Sequence, residues 1–519
     1  MRLNVTIAVA ALGGFLALSH EILWSRVVNF ATEGLPDAFG FLLAAYLSGL
    51  ALGSWCAGRL CRREATAVDL PRVGVVFVLG AVAAFLVAPS VGFLLADCEL
   101  PAISMLPVFS FASAVLGLGF PLLCHYGIPA DERAGARLSY VYFGNIIGSA
   151  LGSLLTGLVL LDHLSLRDLN VALAVVGVAL GTLLILGAAT GRRVWPGALV
   201  VGALAFVTVS APGLYEGFYE KLLYLGDHGR LPAFEEVIEG RSGVVTVTRH
   251  GTVYGGGSYE GIANVSPLPE EDENRVLRAY LVAAFHPHPR EVLMVGLGSG
   301  SWLQVLANHP DVERLTVVEI NPGFVEAVRQ APPLASVLTH SKVEVVLDDG
   351  RRFLGGTDRQ YDVIVMNTIV YWRAYATLLL SREAMELVRR RLKPGGVLYL
   401  NTTMSSAVQK TTATIFRHAT RFQNMLIAGD TPIVIDRVRF EQKLDTWQID
   451  GRRVLPPTRP AAQLDLLREQ DWRGGPTWEE RAAILARTGA EPIITDDNMA
   501  TEWWAFENYP AAPSGLPPP

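Results

Sequence analysis

The 519 residues carry a formal net charge of −6, and no basic tract interrupts them, so nucleic acid is not expected as a partner. At roughly 150 residues per domain the chain is long enough for two to four units. Composition divides it: up to Ser210 it is a series of apolar runs almost without Lys, and from Leu214 onward charged and apolar residues mix evenly.

In chain order, seven segments are apolar enough to span a bilayer: 4–30, 37–57, 73–96, 101–124, 138–161, 168–190 and 194–212. A span needs about 20 residues, so the last is marginal. The first is not read as a signal peptide, because no small-residue cleavage site follows a short apolar core. Residues 1–212 are therefore expected to form a multi-span α-helical membrane domain embedded in a lipid bilayer, at the inner or cell membrane. The four cysteines, Cys56, Cys61, Cys98 and Cys124, all lie in this half at spacings that match neither a zinc site nor a disulfide framework. Free thiols and no metal are expected.

Within the first segment, His20, Glu21 and Arg26 surround Trp24. Two readings stand: an anchor near the segment's end, where Arg snorkels and Trp prefers the interface, or a polar cavity or substrate route. In the fifth segment Gly144, Gly148, Gly152 and Gly157 recur with Ser149 and Ser153 between them, a stripe suited to close helix packing. Arg59, Arg62, Arg63 and Arg72 follow the second segment, Arg133 and Arg137 the fourth, and Arg192 and Arg193 the sixth. These loops are expected in the cytoplasm, with the N-terminus inside. Seven true spans would then place the following half outside, away from any supply of an ATP-derived cofactor. Either the seventh segment, with Pro196 and Pro212, is re-entrant or interfacial, or the arginine pattern misleads at one loop. A cytoplasmic catalytic half is the favoured expectation.

Residues 213–285 read as a connector and a small antiparallel β-subdomain, since Gly240 to Val265 alternates apolar and polar residues between Gly-rich turns. Helical spacing resumes from Asn274 to Phe285. Residues 286–505 are expected to form a Rossmann-like catalytic domain, with strands at Glu291 onward, Val343–Leu347, Asp362–Asn367 and Val397–Asn401 separated by helical stretches. Residues 506–519 read as a disordered tail.

The stretch Glu291–Glu319, EVLMVGLGSGSWLQVLANHPDVERLTVVE, carries the chemistry: a strand, a Gly-rich turn, a helix, a second strand and an acid at its tip. Gly296, Gly298 and Gly300 let backbone approach a ligand, and Glu319 lies where a carboxylate can accept from both ribose hydroxyls.

With VERLTVVEINP, VEVVLDDGRRFL, YDVIVMN and LKPGGVLYLNTT, this stretch resembles the spermidine synthase family, which shares the class I methyltransferase fold. The whole chain resembles the membrane-integrated spermidine synthase-like proteins of bacteria. The resemblance implies S-adenosylmethionine (SAM) or its decarboxylated form as substrate, with Gly296, Gly298, Ser299 and Gly300 along it and Glu319 on the ribose. It further implies Asp349, beside Asp348, near the adenine amino group, and a homodimer, with the membrane half free to impose other contacts. An acceptor carboxylate suits an exocyclic amine, although Asp349 is equally able to cap the next helix.

The pattern breaks in two places. Polyamine-making members carry a DSSDP-type loop whose leading Asp helps deprotonate the attacking amine. Here Asn367 stands there, and an amide cannot take that proton. Ser299 replaces an Asp of the Gly-rich turn that favours the aminopropyl tail, which makes intact SAM admissible. Arg373 can meet a SAM carboxylate or merely pair with an acid. Tyr371 and Trp372 can stack on adenine, enclose the sulfonium, or pack beneath the loop. Asp496 and Asp497, near Glu502, Trp503 and Trp504, can hold an amine, replace the missing base, or cap a helix starting near Asn498.

Three functions remain open. The first acts on the alkyl chain of SAM or decarboxylated SAM with release of methylthioadenosine; Asn367 favours intramolecular cyclisation or lyase chemistry, and a relocated base would restore aminopropyl transfer. The second is a methyltransferase for a membrane-delivered acceptor. The third is a non-catalytic sensor or transporter gated by a nucleoside.

Overall fold

A computed structural model describes residues 3–62, 70–187, 194–272, 274–367, 371–463, 478–499 and 502. The tail at 506–519, Trp503 and Trp504 lie outside the described residues. The chain forms two compact units: the first runs through Ala233 and takes in Glu239–Arg241, and the second comprises Phe234–Ile238 and the residues from Ser242 onward.

The first unit contains α1 (Leu3–Ala31), α2 (Ala38–Leu60), α3 (Leu70–Gly92), α4 (Met105–Gly127), α5 (Ala134–Leu158), α6 (Leu166–Gly187), α7 (Val194–Leu214) and the short α8 (Phe218–Tyr224). Seven of the described helices are long and apolar enough to cross a membrane. They carry exposed large apolar side chains, among them Phe111, Leu183 and Val209, as expected of a surface solvated by lipid. The seventh segment is one continuous helix from Val194 to Leu214. All four cysteines are free.

Small residues let the helices pair. A Cβ at Gly148 or Gly152 of α5 would collide with the carbonyls of Ala11 or Phe15 on α1. Gly74 of α3 and Gly181 of α6 face one another, and a Cβ on either would lie 2.5 Å from the other's carbonyl oxygen. Gly157, the last glycine of the expected stripe, faces open space. Without water to drive association, such backbone proximity is what packs helices in a bilayer. The anchor reading of Trp24 does not match the structure, because Trp24 is 1 % exposed and packs edge-on against Tyr46 and obliquely on Phe109.

The second unit begins with a four-stranded sheet, β1 (Phe234–Gly240), β2 (Gly243–Thr248), β3 (Thr252–Gly255) and β4 (Ser258–Ile262), in sequential order. The helix expected over Asn274–Phe285 is two short pieces, α9 (Leu277–Tyr280) and α10 (Val282–Phe285). Then follow β5 (Glu291–Val295), α11 (Ser301–Ala307), β6 (Arg314–Glu319), α12 (Pro322–Gln330), β7 (Val343–Leu347), α13 (Gly350–Gly356), β8 (Tyr361–Met366), α14 (Thr377–Leu380), α15 (Arg382–Arg390), β9 (Leu392–Asn401) and α16 (Ser406–Ile415). The unit ends with β10 (His418–Phe422), β11 (Met425–Gly429), α17 (Arg437–Thr446), the β12–β13 hairpin (Gln448–Ile449 and Arg452–Arg453), β14 (Glu479–Glu480) and α18 (Arg481–Arg487).

The large sheet has the order β14-β10-β11-β9-β8-β5-β6-β7. Strands β5 to β9 are parallel, while β11, β10 and β14 join antiparallel. This is the class I methyltransferase arrangement, and it explains the unbroken apolar run of β5. Val292 and Met294 enter the core on one face with Trp302 and Tyr399, and Leu293 and Val295 enter the other with Met385 and Val408. A strand covered on both faces needs apolar residues at every position. The strand order reverses at β5, so the carboxyl ends of β5, β6, β7 and β8 border a crevice of the kind in which open α/β sheets bind ligands.

Replacing Gly148 by Leu should cost the detergent-solubilised protein about 1–3 kcal/mol or prevent its folding, whereas Gly157→Leu should leave it intact. Melting temperature and size-exclusion profile of the two variants check this; equal behaviour would show that the α1–α5 approach does not depend on the missing side chain.

Candidate functional site

The turn after β5 requires glycine. Gly296, Gly298 and Gly300 all have positive φ, at 86°, 55° and 84°, and a Cβ on Gly300 would strike Val328. Glu319, at the end of β6, locks this turn: its Oε2 accepts from the Leu297 amide at 2.7 Å and its Oε1 from the Asn321 amide at 2.8 Å. It is 4 % exposed. Burial pushes its carboxyl up, and the amides of Asn321, Leu297 and Ile320 and the charge of Arg373 pull it back. Each carboxylate oxygen has a second acceptor site, so ribose hydroxyls can bind without displacing the turn.

Beyond β7, Asp348 accepts from the Asp349 amide at 2.6 Å and from Arg352 Nε at 2.5 Å. Asp349 caps α13, with Oδ1 accepting from the Arg352 amide at 2.7 Å. The helix-capping role is therefore present, and it occupies one of the two oxygens of Asp349.

Asn367 ends β8 as part of an amide chain. Asn401 Nδ2 donates to both the backbone oxygen and Oδ1 of Asn367 at 3.2 Å. Asn424 donates to Asn401 Oδ1 at 3.0 Å and accepts from Arg278 at 3.0 Å. Residues 368–370 lie outside the described set. Tyr371 and Trp372 meet edge to face with ring centroids 5.0 Å apart, and Tyr371 packs on the apolar cluster behind the sheet.

Arg373 does not stand free. Its Nη1 donates to Glu260 at 3.1 Å, and its Nη2 donates to the carbonyl of Gly255. Glu260 is the residue that sequence reasoning missed. It lies on β4, its side chain is 4 % exposed, and its backbone oxygen accepts from the Ser299 amide at 3.2 Å. Burial pushes its carboxyl up to about 7; Arg373 opposes the shift and Glu319 adds to it. In sequence, Glu260 is one polar residue in an alternating strand, and the one signal beside it is Gly261, a glycine within the strand, where the backbone takes a φ of +115°. The small sheet is stitched to the turn a second time by Ser301, whose hydroxyl donates to the Ile262 carbonyl at 2.6 Å. Ser299 is buried, and its hydroxyl donates to Ser301 at 3.1 Å.

The two C-terminal acids are not brought together as a pair. Asp496 receives both guanidinium nitrogens of Arg351, at 2.6 and 2.5 Å, and the Ser381 hydroxyl at 2.6 Å. The Arg351 hydrogen bonds and ion pair hold its carboxyl low against some desolvation, with Ser381 contributing. Asp497 is exposed in a turn, and in the same turn Asn498 accepts from the Thr495 amide and donates to the Ile493 carbonyl. Glu502 is buried and accepts from the amide and hydroxyl of Thr377. These contacts fasten the C-terminal segment to α13 and to the α14–α15 region.

Part of the second unit is similar in sequence to known proteins. A family profile described as the spermine/spermidine synthase domain matches residues 277–425. A spermidine synthase of Dictyostelium discoideum is 36% identical over 114 residues, 22% of this chain and 40% of that protein. A polyamine aminopropyltransferase of Desulforudis audaxviator is 31% identical over 165 residues, 30% of this chain and 59% of that protein. The solved spermidine synthase of Thermotoga maritima aligns with a TM-score of 0.30 and 14% identity, over 49% of this chain and 84% of that one. The chain spans about two fifths of the length of curated relatives such as those of Dictyostelium discoideum and Streptococcus uberis. Its second unit is spermidine synthase-like.

Substituting Asp496 by Ala should release Arg351 and Ser381 and lower the melting temperature, by about 2–4 °C for each kcal/mol lost. Methylthioadenosine affinity, measured by calorimetry on the same variant, should change far less than under substitution of Glu319. A large affinity loss at unchanged melting temperature would return Asp496 to the substrate.

Proposed function

We propose that the second unit binds decarboxylated SAM and transfers its aminopropyl group to an amine, releasing methylthioadenosine, in a protein held in a membrane by its first unit. The observation that carries this reading is a pair of buried acids at the Gly-rich turn: Glu319, whose carboxylate accepts from the Leu297 amide, and Glu260, whose backbone carbonyl accepts from the Ser299 amide while its carboxylate pairs with Arg373. Glu319 suits the ribose, and the free oxygen of Asp349 suits the adenine amino group. Tyr371 and Trp372 offer aromatic faces to the sulfonium.

The reaction needs little covalent help. The amine nitrogen attacks the carbon beside sulfur, the C–N bond forms as the C–S bond breaks, and the electron pair leaves on sulfur as a neutral thioether. The proton lost by nitrogen needs an acceptor. Asn367 cannot supply one, while Glu260, with a carboxyl pushed up to about 7, is a base matched to neutral pH. Burial keeps the acceptor close to the operating pH, and Arg373 orients it. The same arrangement supports the decarboxylated substrate, because Arg373 already spends its donors on Glu260 and the Gly255 carbonyl and two acids repel a methionine carboxylate.

A second reading, intramolecular cyclisation or lyase chemistry on intact SAM, is favoured by Asn367 alone. Its Oδ1 is held by Asn401, and a nucleophile within the substrate requires no base. For the membrane we propose the arrangement in which the second unit faces the cytoplasm, where SAM is made. A compartment-specific reporter fused after residue 216 tests this directly: it should report cytoplasm, and a signal from the opposite side would overturn the arrangement.

Mass spectrometry of purified protein incubated with SAM or decarboxylated SAM, with and without putrescine, should show methylthioadenosine only when decarboxylated SAM and putrescine are both present. Its rate should rise as pH rises through about 7, since the base acts deprotonated. Glu260→Gln should lower the rate about 10²–10⁴-fold and flatten that limb. Methylthioadenosine from SAM alone would establish the second reading, and S-adenosylhomocysteine or unconsumed substrate would overturn both.

A further inference from the structure

The first unit contains a cavity of about 220 Å³ between its long helices. Its wall is mostly apolar, with Leu50, Phe77 and Leu116 among the lining residues, and His20, Tyr46 and Asn145 line the same space. His20 is 1 % and Tyr46 2 % exposed. His20 Nδ1 lies 2.8 Å from the Leu16 carbonyl. A carbonyl only accepts, so Nδ1 carries the proton and Nε2 presents a lone pair. Neither His20 Nε2 nor the Tyr46 hydroxyl has a hydrogen-bond partner among the described residues. Asn145 is different, because its Nδ2 donates to the Ala10 carbonyl at 3.1 Å.

Polar atoms buried among apolar helices are costly unless something bonds to them, and in membrane helices such groups mark sites of function. The requirement here is specific: a donor for His20 Nε2 and a partner for a phenolic hydroxyl, beside a mostly apolar chamber. A neutral hydroxyl or amine meets both, donating to the imidazole and accepting from Tyr46, while its hydrocarbon body fills the chamber. The size agrees, since a cavity of about 150 Å³ already accommodates benzene.

We infer that the first unit holds a binding site of its own, formed by His20 and Tyr46 in this cavity, for a compact lipophilic molecule bearing one neutral hydroxyl or amine. This site lies wholly within the helices and is independent of the nucleoside reading. A lipid acyl chain is the competing occupant, and it leaves both polar atoms unmatched.

Photolabelling of the detergent-purified full chain with a diazirine-bearing aliphatic alcohol tests the site. Labelling should saturate and map to the cavity-lining peptides of α1 to α6. Excess hexanol or hexylamine should suppress it and hexane should not, the better competitor of the two identifying hydroxyl or amine. Tyr46→Phe keeps the ring and removes one oxygen, and should weaken labelling about tenfold, as expected for one buried hydrogen bond. Ala17→Leu narrows the cavity without touching either polar group and should abolish labelling at an unchanged melting temperature. Non-saturating label spread over lipid-facing residues such as Phe111 and Val209, equal competition by hexane, or indifference to both variants would overturn the proposal.

Discussion

The hydrogen bond from the Leu297 amide to the Glu319 carboxylate, 2.7 Å long, joins the turn after β5 to the tip of β6, and the crevice is arranged around that join. A glycine-rich turn is conformationally loose because glycine visits both halves of φ space. Here a buried carboxylate selects one of its shapes, with three positive-φ glycines at alternate positions. The carboxylate is stabilised in turn by the amides it organises. On the proposed reading, ligand recognition and turn conformation depend on the same group.

The small antiparallel sheet belongs to this construction. It contributes Glu260 and, through the Ile262 and Glu260 carbonyls, binds the Ser301 hydroxyl and the Ser299 amide. Arg373, from the segment after β8, closes the circuit by bonding to Glu260 and to Gly255 at the end of β3. Three separated stretches of chain thus meet at one buried acid. On the proposed reading, a proton acceptor on β4 in place of one at the end of β8 lets a site with an amide at position 367 deprotonate an amine.

Much of this was legible in the sequence, for identifiable reasons. The seven apolar helices follow from length and hydropathy alone, and the parallel strands follow from apolar runs that must be covered on both faces. Gly296, Gly298, Gly300 and Glu319 are readable because a tight turn and an acid at a strand tip leave a local signature. Other features have no local signature. Arg351 and Asp496 are 145 residues apart, and nothing near either shows that they form a clasp. Glu260 looks like any polar residue of an alternating strand until the fold buries it beside Arg373. The place of Trp24 and His20 in the segment leaves an interfacial anchor and a polar cavity both open, and only the fold shows that α1 continues to Ala31 and that neighbouring helices bury both side chains. Tertiary contacts decide each of these cases.

The central claim is that Glu319 both shapes the turn and receives the nucleoside, and calorimetric titration of methylthioadenosine into the full-length protein and its Glu319→Gln variant tests it most directly. The variant keeps the volume and one hydrogen-bond acceptor but loses the charge and sets an NH2 group against one of the two backbone amides, so affinity should fall about 10–100-fold, the equivalent of a lost charge-assisted hydrogen bond, and the melting temperature should fall as well. Equal affinity in both proteins would contradict the account and leave Glu319 as a brace for the turn alone.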